Sequence, residues 1–138
     1  MVDKVLIERK LALLRERREL LKVYKLRTYA QFLDGPYQKA VEKVLQEMVE
    51  ICLDIGKHLI ADEGLPLATD SKEIFQILHR HKILSKRMSH MMMDMVGFRN
   101  FIVHVYEKID PEIVYGVYCQ HLPDFDRFAR AITRYIGA

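Results

Sequence analysis

Leu84-Ser85-Lys86-Arg87-Met88-Ser89-His90-Met91-Met92-Met93-Asp94-Met95-Val96-Gly97-Phe98-Arg99-Asn100-Phe101-Ile102-Val103-His104-Val105-Tyr106 is the stretch on which the fold turns. Leu84, Met88, Met91, Met95, Phe98, Ile102 and Val105 recur at spacings of four and three, the repeat of one helical face. A second stripe, Met92, Val96, Arg99, Val103 and Tyr106, runs beside the first. One apolar stripe seats a helix on a bundle. Two adjacent stripes predict a helix buried on two sides, with a second copy of the chain covering the remainder.

The flanking sequence repeats the pattern. Helical spacing of Ile7, Leu11, Leu14 and Leu21 predicts a first helix from about Asp3 to Leu33, stopped by Asp34-Gly35-Pro36. Pro36 suits the first turn of a second helix. That helix carries Tyr37, Val41, Val44, Met48, Ile51, Ile55 and His58 inward and ends near Ala61. Asp70, with Glu73 three residues on, predicts a capping box and a short third helix. Asp110-Pro111-Glu112 starts a last helix that runs toward Ile136, and Pro123 inside it should kink or split it. No segment reads as a strand. The expected fold is all-α, an up-and-down bundle of about five helices, in one domain spanning residues 1–138.

Composition fits that reading. Of 138 residues, 50% are hydrophobic and 30% charged, with only 6 Gly and 4 Pro, so loops are few and a sizeable core is affordable in a soluble chain. The N-terminus lacks the apolar run of a signal peptide or membrane span, so a cytoplasmic protein without membrane contact is expected. Cys52 and Cys119 have no metal-ligand spacing and read as two buried free thiols. No phosphate-cradling glycine loop, Walker motif or nucleophile elbow is present.

The net charge of +3 alone is no argument for nucleic acid, but its distribution is uneven. Arg80, Lys82, Lys86 and Arg87 form a basic run without an acidic residue, just before the motif helix. They are candidate contacts to an RNA backbone. His79 and His81, two apart, face different sides of a helix and read as solvated rather than metal-binding.

The chemistry-bearing feature is Arg99-Asn100 followed by His104 and Tyr106, set among Met, Val, Ile and Phe. Burying such groups is costly unless they are paired or used. Arg99 can hold the non-bridging oxygens of a phosphate. His104 can deprotonate a ribose 2′-hydroxyl or protonate a leaving 5′-oxygen, which requires neither metal nor cofactor. Asn100 can support either group, and Tyr106 can contact substrate. On an ideal helix Arg99 and His104 lie roughly 140° apart around the axis. Either the helix loosens near His104, or groups from two copies combine. The competing reading of the same residues is structural: a snorkelling arginine, a satisfied histidine and a core tyrosine.

The order R-N-x-x-x-H-x-Y, in the fourth helix of a small bundle, resembles the Arg…His-x-Tyr signature of the HEPN superfamily. More narrowly, the chain resembles the HepT-like proteins from about Gln38 to Ile136. The resemblance includes Ala40-Val41-Glu42 to His58-Leu59-Ile60, Glu73-Ile74-Phe75-Gln76-Ile77-Leu78, the motif, Ile109-Asp110 and Leu122-Pro123-Asp124. It implies a homodimeric, metal-independent ribonuclease toxin cleaving tRNA or mRNA, with Arg99 and His104 as the catalytic pair at the dimer interface. It also implies a partner, a minimal nucleotidyltransferase antitoxin of MntA type, which adds AMP to Tyr106. A bulky anion there would block RNA by sterics and like charge. The alternative within the same superfamily is a non-nuclease helical partner of a nucleotidyltransferase, binding nucleotide only.

Overall fold

The computed structural model describes residues 1–104 and 109–137, apart from the side chain of His104. These residues form seven helices and no strand: α1 (Lys4–Val23), α2 (Tyr29–Leu33), α3 (Tyr37–Asp62), α4 (Ser71–Arg80), α5 (Lys86–His104), α6 (Pro111–Gln120) and α7 (Leu122–Gly137). The all-α expectation is met. The count exceeds five because the first and last expected helices are each two.

The first break has a local cause that the hydrophobic pattern hides. Lys25 takes a left-handed backbone (φ +51°), and Thr28 opens α2 with a reciprocal capping box to Gln31. Tyr118 of α6 pins the break: its hydroxyl donates to the Leu21 carbonyl at 3.3 Å and accepts from the Leu26 amide at 3.4 Å. The second break falls at His121, and Pro123 then occupies the first turn of α7, where its missing N–H costs nothing.

Two end signals also read differently. Pro36 sits at the N-cap of α3 rather than inside its first turn. Asp70 caps α4 as expected by accepting from the Glu73 amide at 2.9 Å, but the Glu73 carboxylate accepts from Thr69 instead of returning to Asp70. The box is therefore half made, its other half displaced by one residue.

α3 is the central element, packed against α1, α4, α5 and α6. Its inward residues, among them Val41, Leu45, Met48, Cys52, Ile55 and Leu59, are completely buried. Phe75 of α4 and Phe128 of α7 meet edge to face at 5.9 Å in the same core. Gly56 admits α4 at close range: a Cβ there would lie 2.5 Å from Cγ2 of Ile74. Cys52 is buried as expected. Cys119 is exposed, because it stands roughly 140° around α6 from Val114, the buried residue of that helix. Among the described residues no helix is long and apolar enough to cross a membrane.

Candidate active site on helix α5

α5 starts where Ser85 accepts a hydrogen bond from the Met88 amide at 3.1 Å. Ser89 then faces inward, 2% exposed, and its hydroxyl donates to the Phe75 carbonyl at 2.9 Å. Met92 and Val96 continue this face as fully buried residues. Arg99 is the next position on it. The helix thus carries a guanidinium along its own core side, and the first stripe (Met95, Phe98, Ile102) flanks it as buried residues. The outward end of the second stripe is open, with Val103 36% exposed.

The consequence for Arg99 is specific. Its Nη2 donates to Oγ of Ser71, the first residue of α4, at 3.2 Å. Its Nε is shut away from solvent with no partner among the described residues, an arrangement that ordinarily costs roughly 1–3 kcal/mol. Among the described residues no carboxylate pairs with it. Other arginines of this chain are neutralised: Arg17 by Glu47 at 2.7 Å, Arg127 by Asp124 at 2.8 Å. Arg99 is held in place by a neutral hydroxyl, which orients the fork without cancelling its charge.

Arg99 lines an open groove of about 440 Å³ together with Lys10, Glu50, Asp54, Lys57 and Ser71. Asp54 is already engaged by Lys10 and lies 3.7 Å from Nε2 of His58. Lys72 adds a further cation beside Gly97, where the missing side chain leaves room: a Cβ would sit 3.7 Å from its Nζ. An anion entering this groove finds a guanidinium with donor capacity to spare and Lys57 beside it, while the Glu50 carboxylate on the same wall opposes it.

Asn100 is half-buried on α5, and its side chain makes no hydrogen bond among the described residues. The backbone remains α-helical through His104, so the Arg99 and His104 positions stay roughly 140° apart on the helix. The side chain of His104, and Tyr106 altogether, lie outside the described residues. Arg80, Lys82, Lys86 and Arg87 are exposed, and the helical rise puts Arg87 roughly 18 Å from Arg99 along α5. The fold does not gather the basic run around the motif. His79 is not free either, since its Nδ1 lies 3.1 Å from the Leu84 carbonyl. Ser71 was missed by sequence reading, because no spacing rule relates positions 71 and 99.

A model of the family described as ribonuclease HepT-like matches residues 11–132, nearly the whole bundle and all of the motif. The chain belongs to the HepT-like ribonuclease family. Two curated HepT-like relatives are nucleases. The mRNA nuclease HepT of Shewanella oneidensis is 32% identical over 99 residues, covering 72% of this chain and 74% of that protein. The tRNA nuclease HepT of Aphanizomenon flos-aquae is 25% identical over 136 residues, covering 98% and 92%. Among solved structures, a tri-AMPylated Shewanella oneidensis HEPN toxin in complex with its MNT antitoxin superposes with a TM-score of 0.86 at 28% identity, covering 97% of this chain and 99% of that one. The family match and these relatives bear out the helical fold, the ribonuclease class and the toxin reading that the resemblance implied.

Proposed function

We propose that this chain cleaves RNA at a site completed by a second copy of itself, with Arg99 and His104 as the catalytic pair, and that a nucleotidyltransferase antitoxin silences it by adding AMP to Tyr106. The observation that carries the reading is Arg99: partly buried, oriented by Ser71, unneutralised among the described residues, and open to a groove with further cations. Arg17 and Arg127, by contrast, are each paired with a carboxylate.

In this mechanism the Arg99 guanidinium binds the non-bridging oxygens of the scissile phosphate and stabilises the charge that builds on them. His104 removes the proton of the ribose 2′-hydroxyl, whose oxygen attacks phosphorus. The bond to the 5′-oxygen breaks, and the leaving oxygen takes a proton from a histidine. The products are a 2′,3′-cyclic phosphate and a 5′-hydroxyl. The nucleophile belongs to the substrate, so positioning supplies much of the rate, and DNA is not cut. Asn100 supports the pair from the turn before His104.

The regular course of α5 supports the dimer. A straight helix keeps Arg99 and His104 of one chain apart, whereas two chains about a two-fold axis can supply Arg99 from one and His104 from the other. The deciding experiment compares purified wild-type protein with Arg99→Ala and His104→Ala on total cellular RNA, with cleavage ends mapped. Loss of cleavage in both variants, at unchanged sedimentation as a dimer, is the expected result. Full activity in either variant overturns the assignment, and a wild-type protein that binds nucleotide but cuts nothing favours the binding-module reading.

A further inference from the structure

α7 presents a line of arginines to solvent. Arg127, Arg130 and Arg134 fall at the three- and four-residue spacings of one helical face. On one side of this line lies a groove of about 550 Å³ against α1, lined by Arg15, Arg18, Asp126, Arg130 and Arg134. On the other side lies a groove of about 460 Å³ against the turn between α4 and α5, lined by Lys82, Ser85, Arg127, Arg130 and Arg134. Arg130 and Arg134 border both, so the two grooves form one band across α7.

The charge of this band is largely uncompensated. Nε and Nη2 of Arg18 both donate to Asp126 at 3.3 Å, and Nη1 of Arg127 donates to Asp124 at 2.8 Å. Arg15, Lys82, Arg130 and Arg134 have no ion-pair partner among the described residues. The four unpaired cations around this pair of grooves repel one another, and that repulsion is relieved by a polyanion. Of the basic run that precedes the motif, only Lys82 borders the band.

The band lies away from the motif. The second groove also touches Met88, which stands eleven residues before Arg99, about 16 Å along α5. One phosphate cannot reach both places, but a strand several nucleotides long can. The forked guanidinium of arginine matches phosphate oxygens in pairs, which suits Arg130 and Arg134 to a phosphodiester backbone. We propose that the band formed by α7, α1 and the α4–α5 turn is a second RNA contact, gripping the backbone several nucleotides from the bond that is cut. The proposal rests on the RNA-cleaving reading above for the identity of its polyanion.

The test is the double variant Arg130→Glu/Arg134→Glu, both exposed positions. In the His104→Ala background, binding of a labelled poly-uridine RNA is measured by fluorescence anisotropy across a salt series. Affinity falls at least about tenfold, and the salt slope shrinks by about 1.4, as expected for two lost contacts to a single strand. With His104 intact, the same reversal slows cleavage of long RNA and leaves cleavage of a dinucleoside monophosphate unchanged. Unaltered affinity and salt slope overturn the proposal, and if dinucleotide cleavage persists the ribonuclease reading still stands. Weakened RNA binding in a chain that cuts no RNA leaves the band intact and removes the ribonuclease reading instead. Intact RNA binding with loss of the co-expressed nucleotidyltransferase also overturns it, since the band would then be a protein-docking face. If the reversal unfolds the chain, judged by circular dichroism, Arg130→Gln/Arg134→Gln gives the same comparison with a smaller fall in affinity.

Discussion

Nη2 of Arg99 donates to Oγ of Ser71 at 3.2 Å, tying the middle of the motif helix to the first turn of a helix that begins 28 residues earlier. The bond fixes the direction of the guanidinium without neutralising it. Ser71→Ala should therefore leave the fold and RNA affinity nearly intact while lowering kcat about tenfold, equivalent to about 1.4 kcal/mol of transition-state positioning. Ser71→Thr, which keeps the hydroxyl, should restore most of the rate. An equal fall in both variants would show that Ser71 acts through packing alone.

Mixing two inactive variants tests the two-chain site. Combined Arg99→Ala and His104→Ala proteins form mixed dimers in which one site has both groups intact. If Arg99 and His104 come from different copies, activity returns to roughly a quarter of wild type after subunit exchange. A mixture as inactive as its components would place both groups in one chain.

In the proposed mechanism Tyr106 is the residue that distinguishes catalysis from silencing. Tyr106→Phe keeps the ring and removes the oxygen that would accept AMP. Cells expressing this variant should arrest even when the nucleotidyltransferase is co-expressed, and its intact mass should show no added AMP. Relief of arrest together with AMP on another residue would relocate the switch.

Glu42 sets a pH dependence of stability. It is 8% exposed, its Oε2 has no partner among the described residues, and burial holds its carboxyl above the ordinary range despite the opposing effects of Lys39 and Gln38. The folded chain thus holds this proton more tightly than the unfolded chain does. The stabilising contribution is complete below the ordinary value of 4.5 and is lost as pH rises through the higher folded-state value. Glu42→Gln should gain roughly 1 kcal/mol at pH 7, about 4 °C in Tm, and flatten the decline above pH 4.5. A Tm below wild type at neutral pH would contradict this.

Gly56 keeps α3 and α4 in close contact. Gly56→Ala gains helix propensity worth up to about 1 kcal/mol but forces Ile74 aside, at about 1–3 kcal/mol for overpacking. A net loss of roughly 1 kcal/mol in urea melts is expected. Gly56→Ala combined with Ile74→Val should recover part of it, because the smaller side chain eases the crowding.

The sequence by itself determined the helical class, the stripes of α3 and α5, the N-caps at Asp70 and Asp110 and the motif residues, because these depend on helical period and on local backbone chemistry. It also called for a break near Pro123, which falls two residues earlier at His121. It did not reveal the break after Val23, whose Thr28–Gln31 box was legible but whose anchor, the Tyr118 hydroxyl, comes from a distant helix. It assigned both cysteines to the core, whereas Cys119 lies on the outer face of α6, away from the buried Val114. Tertiary structure alone decided what surrounds Arg99. A hydroxyl from α4 orients it, groups from α1 and α3 form its groove, and the basic run before it lies at the far end of α5, where Lys82 meets the arginines of α7. The reason is physical: helical periodicity fixes the direction of each side chain relative to its own axis, while the partner it meets depends on how separate axes pack.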